Sequence, residues 1–193
     1  MVDPLSSASP VHRKEDAHHA TSLPFQCVST RIVAASADAL FGHLDDHRRL
    51  ASHMSQSSWM MAGSTMDIKL DAANGQAEGS HIRLRGRVMG ISIFVEEVVT
   101  EHKPPLRKVW ETIGVPNLLV IGHYEMGFEI TPQGSSSLLR VFINYDLPEP
   151  LLTRLLGHLF GGFYARWCTE SMAKDAAAYF TPSALQKPRN EAV

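Results

Sequence analysis

Cysteine is scarce. The 193 residues hold only Cys27 and Cys168, far apart and in no Cys-x-x-Cys pair. A disulfide framework is therefore not expected, and a reducing, cytoplasmic setting fits better. An excess of one charge sign is also missing: 18 Lys and Arg stand against 20 Asp and Glu, a net charge of −2. There is no basic excess of the kind that nucleic-acid or anionic-membrane binding usually requires, so no nucleic-acid partner is expected. Long apolar runs are lacking as well. The stretch 151–167 comes nearest to a membrane span, but Arg154, His158 and Arg166 interrupt it, and integral membrane insertion is not expected. Residues 1–22 are polar and have no apolar segment of the secretory kind. They read as a disordered or added tail, followed by a single domain over 23–181 and a flexible tail over 182–193.

Several chemical signatures are absent too. There is no Gly-x-Ser-x-Gly elbow, no glycine-rich phosphate loop after a strand and no His-Glu-x-x-His. His43 and His47 have the i,i+4 spacing of helical zinc ligands, but Asp45 and Asp46 mark a solvated helix end. No metal and no cofactor are expected. Cys168, on a predicted helix without a neighbouring histidine, reads as a packed thiol.

What is there alternates. Phe25 to Ala34 has strand composition, and Ser36 is placed to cap a short helix from Ala37 with Asp38 in its first turn. A second short helix is expected over Arg48 to Met54. From about Trp59 to Leu147 strands and turns follow: a turn at Asn74-Gly75, runs His81 to Val88 and Ile91 to Glu101 around Met89-Gly90, and a break at Pro104-Pro105. Further strands are expected at Arg107 to Ile113, Leu118 to Thr131 and Ser137 to Leu147, the last two joined at Pro132-Gln133-Gly134. Pro148 and Pro150 introduce one long helix reaching about Phe180. The order is α+β, with one antiparallel sheet burying an amphipathic helix.

This order and several phrases resemble the START/Bet v 1-like superfamily, also called SRPBCC or polyketide cyclase/dehydrase-like proteins. The matching phrases are Ala37-Asp38-Ala39-Leu40-Phe41, Gly79 to Gly86, Glu96 to Leu106 with its diproline, and Tyr145-Asp146-Leu147-Pro148. The resemblance covers about Phe25 to Phe180 and includes no invariant catalytic signature. It implies a helix-grip fold, in which a curved antiparallel sheet of about six to seven strands wraps the C-terminal helix and leaves an apolar cavity. It further implies a lipid, polyketide, steroid or other hydrophobic ligand, with cyclisation, dehydration or hydrolysis in a minority of members.

Alternation assigns the faces. With a tight turn at Met89-Gly90, Val88 meets Ile91, Gly86 meets Ile93 and Leu84 meets Val95 on the inner face, while Arg83 meets Glu96 outside. The arginine ladder Arg83, Arg85 and Arg87 then reads as a solvated, charge-paired face rather than an anion platform. Glu97 breaks the pattern by sharing the inner face with Ile82. It is either a proton-transfer or ligand-orienting group of raised pKa, or a residue at the cavity mouth or beside a bulge. Either Trp110 or Glu111 points inward, and the sequence leaves that open. Tyr124, Met126, Phe128 and Ile130 form one apolar row, and Val141, Ile143 and Tyr145 another. Tyr124 and Tyr145 carry hydroxyls able to fix a ligand's polar end.

The long helix holds Gly157, Gly161 and Gly162 among its largest aromatics. Its apolar stripe (Leu152, Leu156, Leu159, Phe160, Phe163, Trp167) is expected to line the grip, with the small flank allowing close approach of sheet, ligand or a second subunit. The expected ligand wall is Trp59, Leu84, Ile93, Val95, Trp110, Met126, Phe128, Ile143, Leu156, Phe160, Phe163 and Trp167. The leading functional expectation is binding of a small hydrophobic ligand. The alternative is an acid–base cyclase or dehydratase using Glu97 with Tyr124 or Tyr145, and a weaker third is an interaction role as a homodimer.

Overall fold

A computed structural model describes residues 23–50, 65–88 and 90–181. The elements are β1 (Phe25–Val33), α1 (Ala37–Leu44), α2 (His47–Leu50), β2 (Thr65–Leu70), β3 (His81–Val88), β4 (Ile91–Lys103), β5 (Arg107–Asn117), β6 (Tyr124–Gln133), β7 (Ser136–Tyr145) and α3 (Leu151–Tyr179). The seven strands form one antiparallel sheet in the order β1-β7-β6-β5-β4-β3-β2. The helix α3 lies across β1 and β7, and α1 closes the core against β6 and β7. This is the helix-grip architecture expected from the element order.

Local chemistry accounts for most boundaries. The Ser36 hydroxyl accepts from the Ala39 N–H and starts α1. Asn74 and Gly75 both adopt positive φ, at 55° and 74°, turning the chain between β2 and β3. The β3–β4 register is as expected, with Ile82 opposite Glu97, Arg83 opposite Glu96 and Leu84 opposite Val95. Arg83 and Glu96 form the outer ion pair at 2.8 Å, and Arg83 and then His81 hold the Glu96 carboxyl below its ordinary pKa. Two register shifts against β5, between Phe94 and Glu96 and between Val99 and Glu101, bend β4 around the core.

Three expectations need correction. The strand placed from Leu118 begins at Tyr124, because Gly122 and His123 bond to Asp146 instead of continuing a ladder. The strand from Arg107 runs on to Asn117. The second helix starts at His47 and is described only to Leu50, since residues 51–64 lie outside the described residues.

The largest departure is the orientation of α3. Its glycine row faces inward: Gly157, Gly161, Ala165, Cys168, Thr169, Met172, Ala173 and Ala176 are buried. Leu152, Leu159, Phe160 and Phe163, expected inside, stand exposed, and Leu156 and Trp167 are half-buried. The cause is steric. A Cβ built on Gly157 or Gly161 would lie 2.9 Å from the Val120 carbonyl oxygen, so only a glycine edge lets the helix meet this loop. A polar clip fixes the next turns, with the Ser29 hydroxyl donating to Thr169 Oγ1 at 3.0 Å and Cys27 Sγ 3.7 Å from the same oxygen. Cys27 and Cys168 are both free thiols.

Candidate functional site

A cavity of about 90 Å³ lies between the sheet and α3, its wall running from Ile93 and Val95 on β4 to Tyr164, Cys168 and Met172 on α3. Of the expected wall, Leu84, Ile93, Val95, Trp110, Met126 and Ile143 reach it. Ile93, Phe94 and Leu118 are only partly covered, so the cavity meets the surface there. Phe128 is fully buried elsewhere, its ring 5.5 Å from Phe41. Leu156, Phe160, Phe163 and Trp167 are not part of the wall, for the steric reason given above. Trp59 lies outside the described residues. The parity left open on β5 resolves with Trp110 inside, 3% exposed, and Glu111 half-buried.

One acidic centre interrupts this apolar lining. Glu97 is 4% exposed. The Tyr124 hydroxyl donates to its Oε1. Between them in the sheet stands Thr112, paired with Glu97 and accepting the Tyr124 backbone N–H at 3.1 Å. So short a side chain leaves the phenol room to reach across β5. Burial, reinforced by the Glu97 charge, raises the Tyr124 pKa and keeps that phenol protonated. The other carboxyl oxygen, Oε2, is buried and has no hydrogen-bond partner among the described residues. His47 Nε2 lies 3.7 Å from it, beyond hydrogen-bond range, and the imidazole meets Trp110 edge-on at 4.8 Å between centroids.

His47 is the site residue that sequence reasoning missed as a cavity group. Its signal was the Asp45-Asp46 pair before it. Asp46 Oδ1 accepts the Arg48 N–H at 3.0 Å and starts α2, swinging His47 inward. Asp45 accepts from the wholly buried Lys108 Nζ at 2.7 Å through Oδ1 and at 3.1 Å through its backbone carbonyl. His102 Nε2 lies 3.1 Å from both Asp45 carboxyl oxygens. Burial lowers the Lys108 pKa, against the opposing pull of Asp45. His43, the other half of the i,i+4 pair, instead stacks on Tyr179 at 4.1 Å.

The remaining polar wall groups are Tyr164 and Cys168. The thiol is pushed up to about 12 by burial and stays protonated, and its neighbourhood raises the Tyr164 phenol as well. A protonated thiol is a poor nucleophile, so covalent chemistry at Cys168 is disfavoured. Tyr145, expected as a hydrogen-bond donor, sits apart from the cavity, stacked on Phe25 at 5.4 Å beneath the Gly161–Gly162 edge of α3. The chemistry the site offers among the described residues is an apolar enclosure with an acceptor that none of them hydrogen-bonds, a phenol and an imidazole.

No protein-family model matches the sequence, and no curated protein sequence matches it. Solved structures do resemble it. A protein of Thermus thermophilus aligns over 81% of this chain and 99% of its own, at 14% identity and a TM-score of 0.57. Ara h 8.0201 aligns over 80% of this chain and 98% of its own, at 9% identity and a TM-score of 0.53. Norcoclaurine synthase from Thalictrum flavum, solved with dopamine and hydroxybenzaldehyde, aligns over 82% of this chain and 89% of its own, at 16% identity and a TM-score of 0.52. At such identities the likeness speaks for the fold, and the fold is the one the resemblance implied.

Proposed function

We propose that this chain, which has the helix-grip fold of the START/Bet v 1-like superfamily, binds a small, mainly apolar molecule that carries one hydrogen-bond donor. The observation that supports this most is Glu97 Oε2, a buried acceptor in the wall of an apolar cavity that no group among the described residues hydrogen-bonds. A buried polar atom left unpaired is costly, so a ligand that donates to it gains selectivity over one that does not. An amine, alcohol or phenol suits the site, whereas an anionic head would meet the glutamate unfavourably. The enclosed volume is below the roughly 150 Å³ that admits benzene in a dry protein cavity. A ring-sized ligand therefore extends through the edge beside Ile93 and Phe94.

Native mass spectrometry of the purified chain, followed by titration with phenol- and amine-bearing aromatic probes, tests this reading. Glu97→Gln is expected to weaken the amine probe by roughly 10- to 100-fold, the worth of a charge-assisted hydrogen bond. An isosteric probe lacking the donor should bind both forms alike. Equal loss for both probes would remove Glu97 as the anchor, and failure of every apolar probe to bind would remove the cavity as a ligand site.

A second reading is favoured by the juxtaposition of Glu97 with the Tyr124 phenol and the His47 imidazole. A carboxylate, a phenol and an imidazole around one apolar cavity supply a base, a donor and a proton relay, the equipment of a cyclase or dehydratase. In that case Glu97→Gln abolishes turnover while leaving the affinity for a donor-free substrate analogue intact.

A further inference from the structure

The cavity wall holds two buried side chains whose polar ends face each other without bonding. The side chains of His47 and Glu97 are each 5% exposed, and His47 Nε2 stands 3.7 Å from Glu97 Oε2. Both residues line the same cavity. The separation is too long for a direct hydrogen bond, yet one oxygen about 2.8 Å from each atom bridges it from the cavity side. Neither Glu97 Oε2 nor His47 Nδ1 has a hydrogen-bond partner among the described residues.

The surroundings of the imidazole decide which of its nitrogens carries the proton. Nδ1 is turned toward the turn between β2 and β3, where a Cβ built on Gly75 would lie 3.6 Å from it. Nε2 is turned toward the Glu97 carboxyl. A proton on the nitrogen beside the carboxylate is held more favourably than one on the far side of the ring. The cavity therefore presents a donor, Nε2–H, and an acceptor, Oε2, 3.7 Å apart.

That pairing discriminates among polar groups. A hydroxyl accepts from the first and donates to the second through a single oxygen. An ammonium donates to Oε2 but has no lone pair for the imidazole N–H, and a carbonyl leaves Oε2 unpaired. The Tyr124 hydroxyl is committed elsewhere, since it donates to Oε1. We propose that the polar group of the ligand is a hydroxyl held between His47 Nε2–H and Glu97 Oε2, so that the cavity selects an apolar alcohol or phenol over the matching amine or hydrocarbon. The assignment rests on the cavity reading above and narrows it to one class of ligand.

Benzyl alcohol, benzylamine and ethylbenzene share one shape and differ only in the terminal group. Titration of the full chain with each, followed by NMR, should give the alcohol the lowest Kd. His47→Phe keeps a ring against Trp110 and removes both nitrogens. It should weaken benzyl alcohol about fivefold, the worth of one hydrogen bond, and leave the other two probes unchanged. Equal weakening of all three would make His47 a packing group and overturn the proposal, as would a preference of the unaltered chain for benzylamine. If ethylbenzene binds and the alcohol gains nothing over it, the hydroxyl assignment falls while the cavity reading stands. If none of the three binds, both fall. Should His47→Phe fail to fold, nitrogen NMR of the unaltered imidazole above neutral pH decides. The proton should reside on Nε2, and the Nε2 resonance should move when benzyl alcohol is added. A proton on Nδ1, or a resonance that stays in place, overturns the proposal.

Discussion

Asp45→Ala is expected to destabilise the protein by about 3–5 kcal/mol, because it leaves the wholly buried Lys108 ammonium without its carboxylate. In a chain of this size that lowers the unfolding midpoint by on the order of 10 °C. Lys108→Met should cost less. It fills similar volume without a charge, and Asp45 keeps His102 as a partner at 3.1 Å. The double substitution should therefore recover part of the loss from Asp45→Ala alone, a coupling that urea unfolding of the four proteins measures. If Asp45→Ala and Lys108→Met cost the same and simply add, the pair is not the unit described above. The cluster also serves the cavity. Lys108 holds the Asp45 carbonyl as well as its side chain, and that carbonyl lies two residues before His47. Asp45→Ala should thus loosen the imidazole even where the protein stays folded.

The second large effect concerns the glycines of α3, where helix propensity and packing make opposite predictions. Alanine is a better helix former than glycine by about 0.8–1 kcal/mol. At Gly161 a methyl would sit 2.9 Å from the Val120 backbone oxygen, and at Gly157 it would meet that oxygen and Leu147 Cδ2, both at 2.9 Å. A backbone carbonyl cannot rotate away as a side chain can, and overpacking of this kind costs about 1–3 kcal/mol. Gly157→Ala and Gly161→Ala are each expected to destabilise, by a net of up to about 2 kcal/mol. Gly162 provides the control. Its added methyl finds only the Tyr145 hydroxyl, at 3.8 Å, so Gly162→Ala should stabilise by about 0.5–1 kcal/mol. Thermal unfolding of the three variants decides the matter. Stabilisation by all three would mean that the Val120 loop yields, and that the glycines are not there to let it approach.

These glycines also mark where the sequence was hardest to read. Strand pairing was legible because alternation and turn chemistry agree. Asn74-Gly75 and Gly90 set the turns, and period-two burial then put Ile82, Leu84 and Glu97 on one face in the observed register. The face of α3 was not legible, because hydrophobicity alone assigns the stripe of largest residues to the interior. The deciding contact is with a carbonyl about forty residues earlier in the chain, and no periodicity within the helix encodes it. Glu97 stood out as an acid on an apolar face, and Tyr124 as a buried phenol in need of a partner. Their meeting depends on Thr112 being small on the strand between them. His47 and Lys108 were hidden for a different reason: His47 beside Asp45 and Asp46 looks like part of an ordinary solvated helix end, Lys108 stands 63 residues beyond Asp45 on β5, and only the tertiary fold brings that strand underneath.

The loop from Leu118 to His123 carries a mechanical consequence. Gly122 N–H donates to the Asp146 carbonyl at 2.9 Å, Asp146 N–H returns to the His123 carbonyl at 2.9 Å, and Val120 is pressed on the glycine edge of α3. Leu118 and Ile121 therefore border the cavity from a segment clamped at its far end and at its middle. Ile93 and Phe94, across the cavity, lie on a strand interrupted by a register shift and only partly covered. The enclosure is clamped on one flank and open to the surface on the other. If the cavity takes an apolar ligand as proposed, then along a homologous series of probes the added carbons should leave through the edge beside Ile93 and Phe94, and the length at which affinity stops rising reads out how much apolar contact that edge supplies.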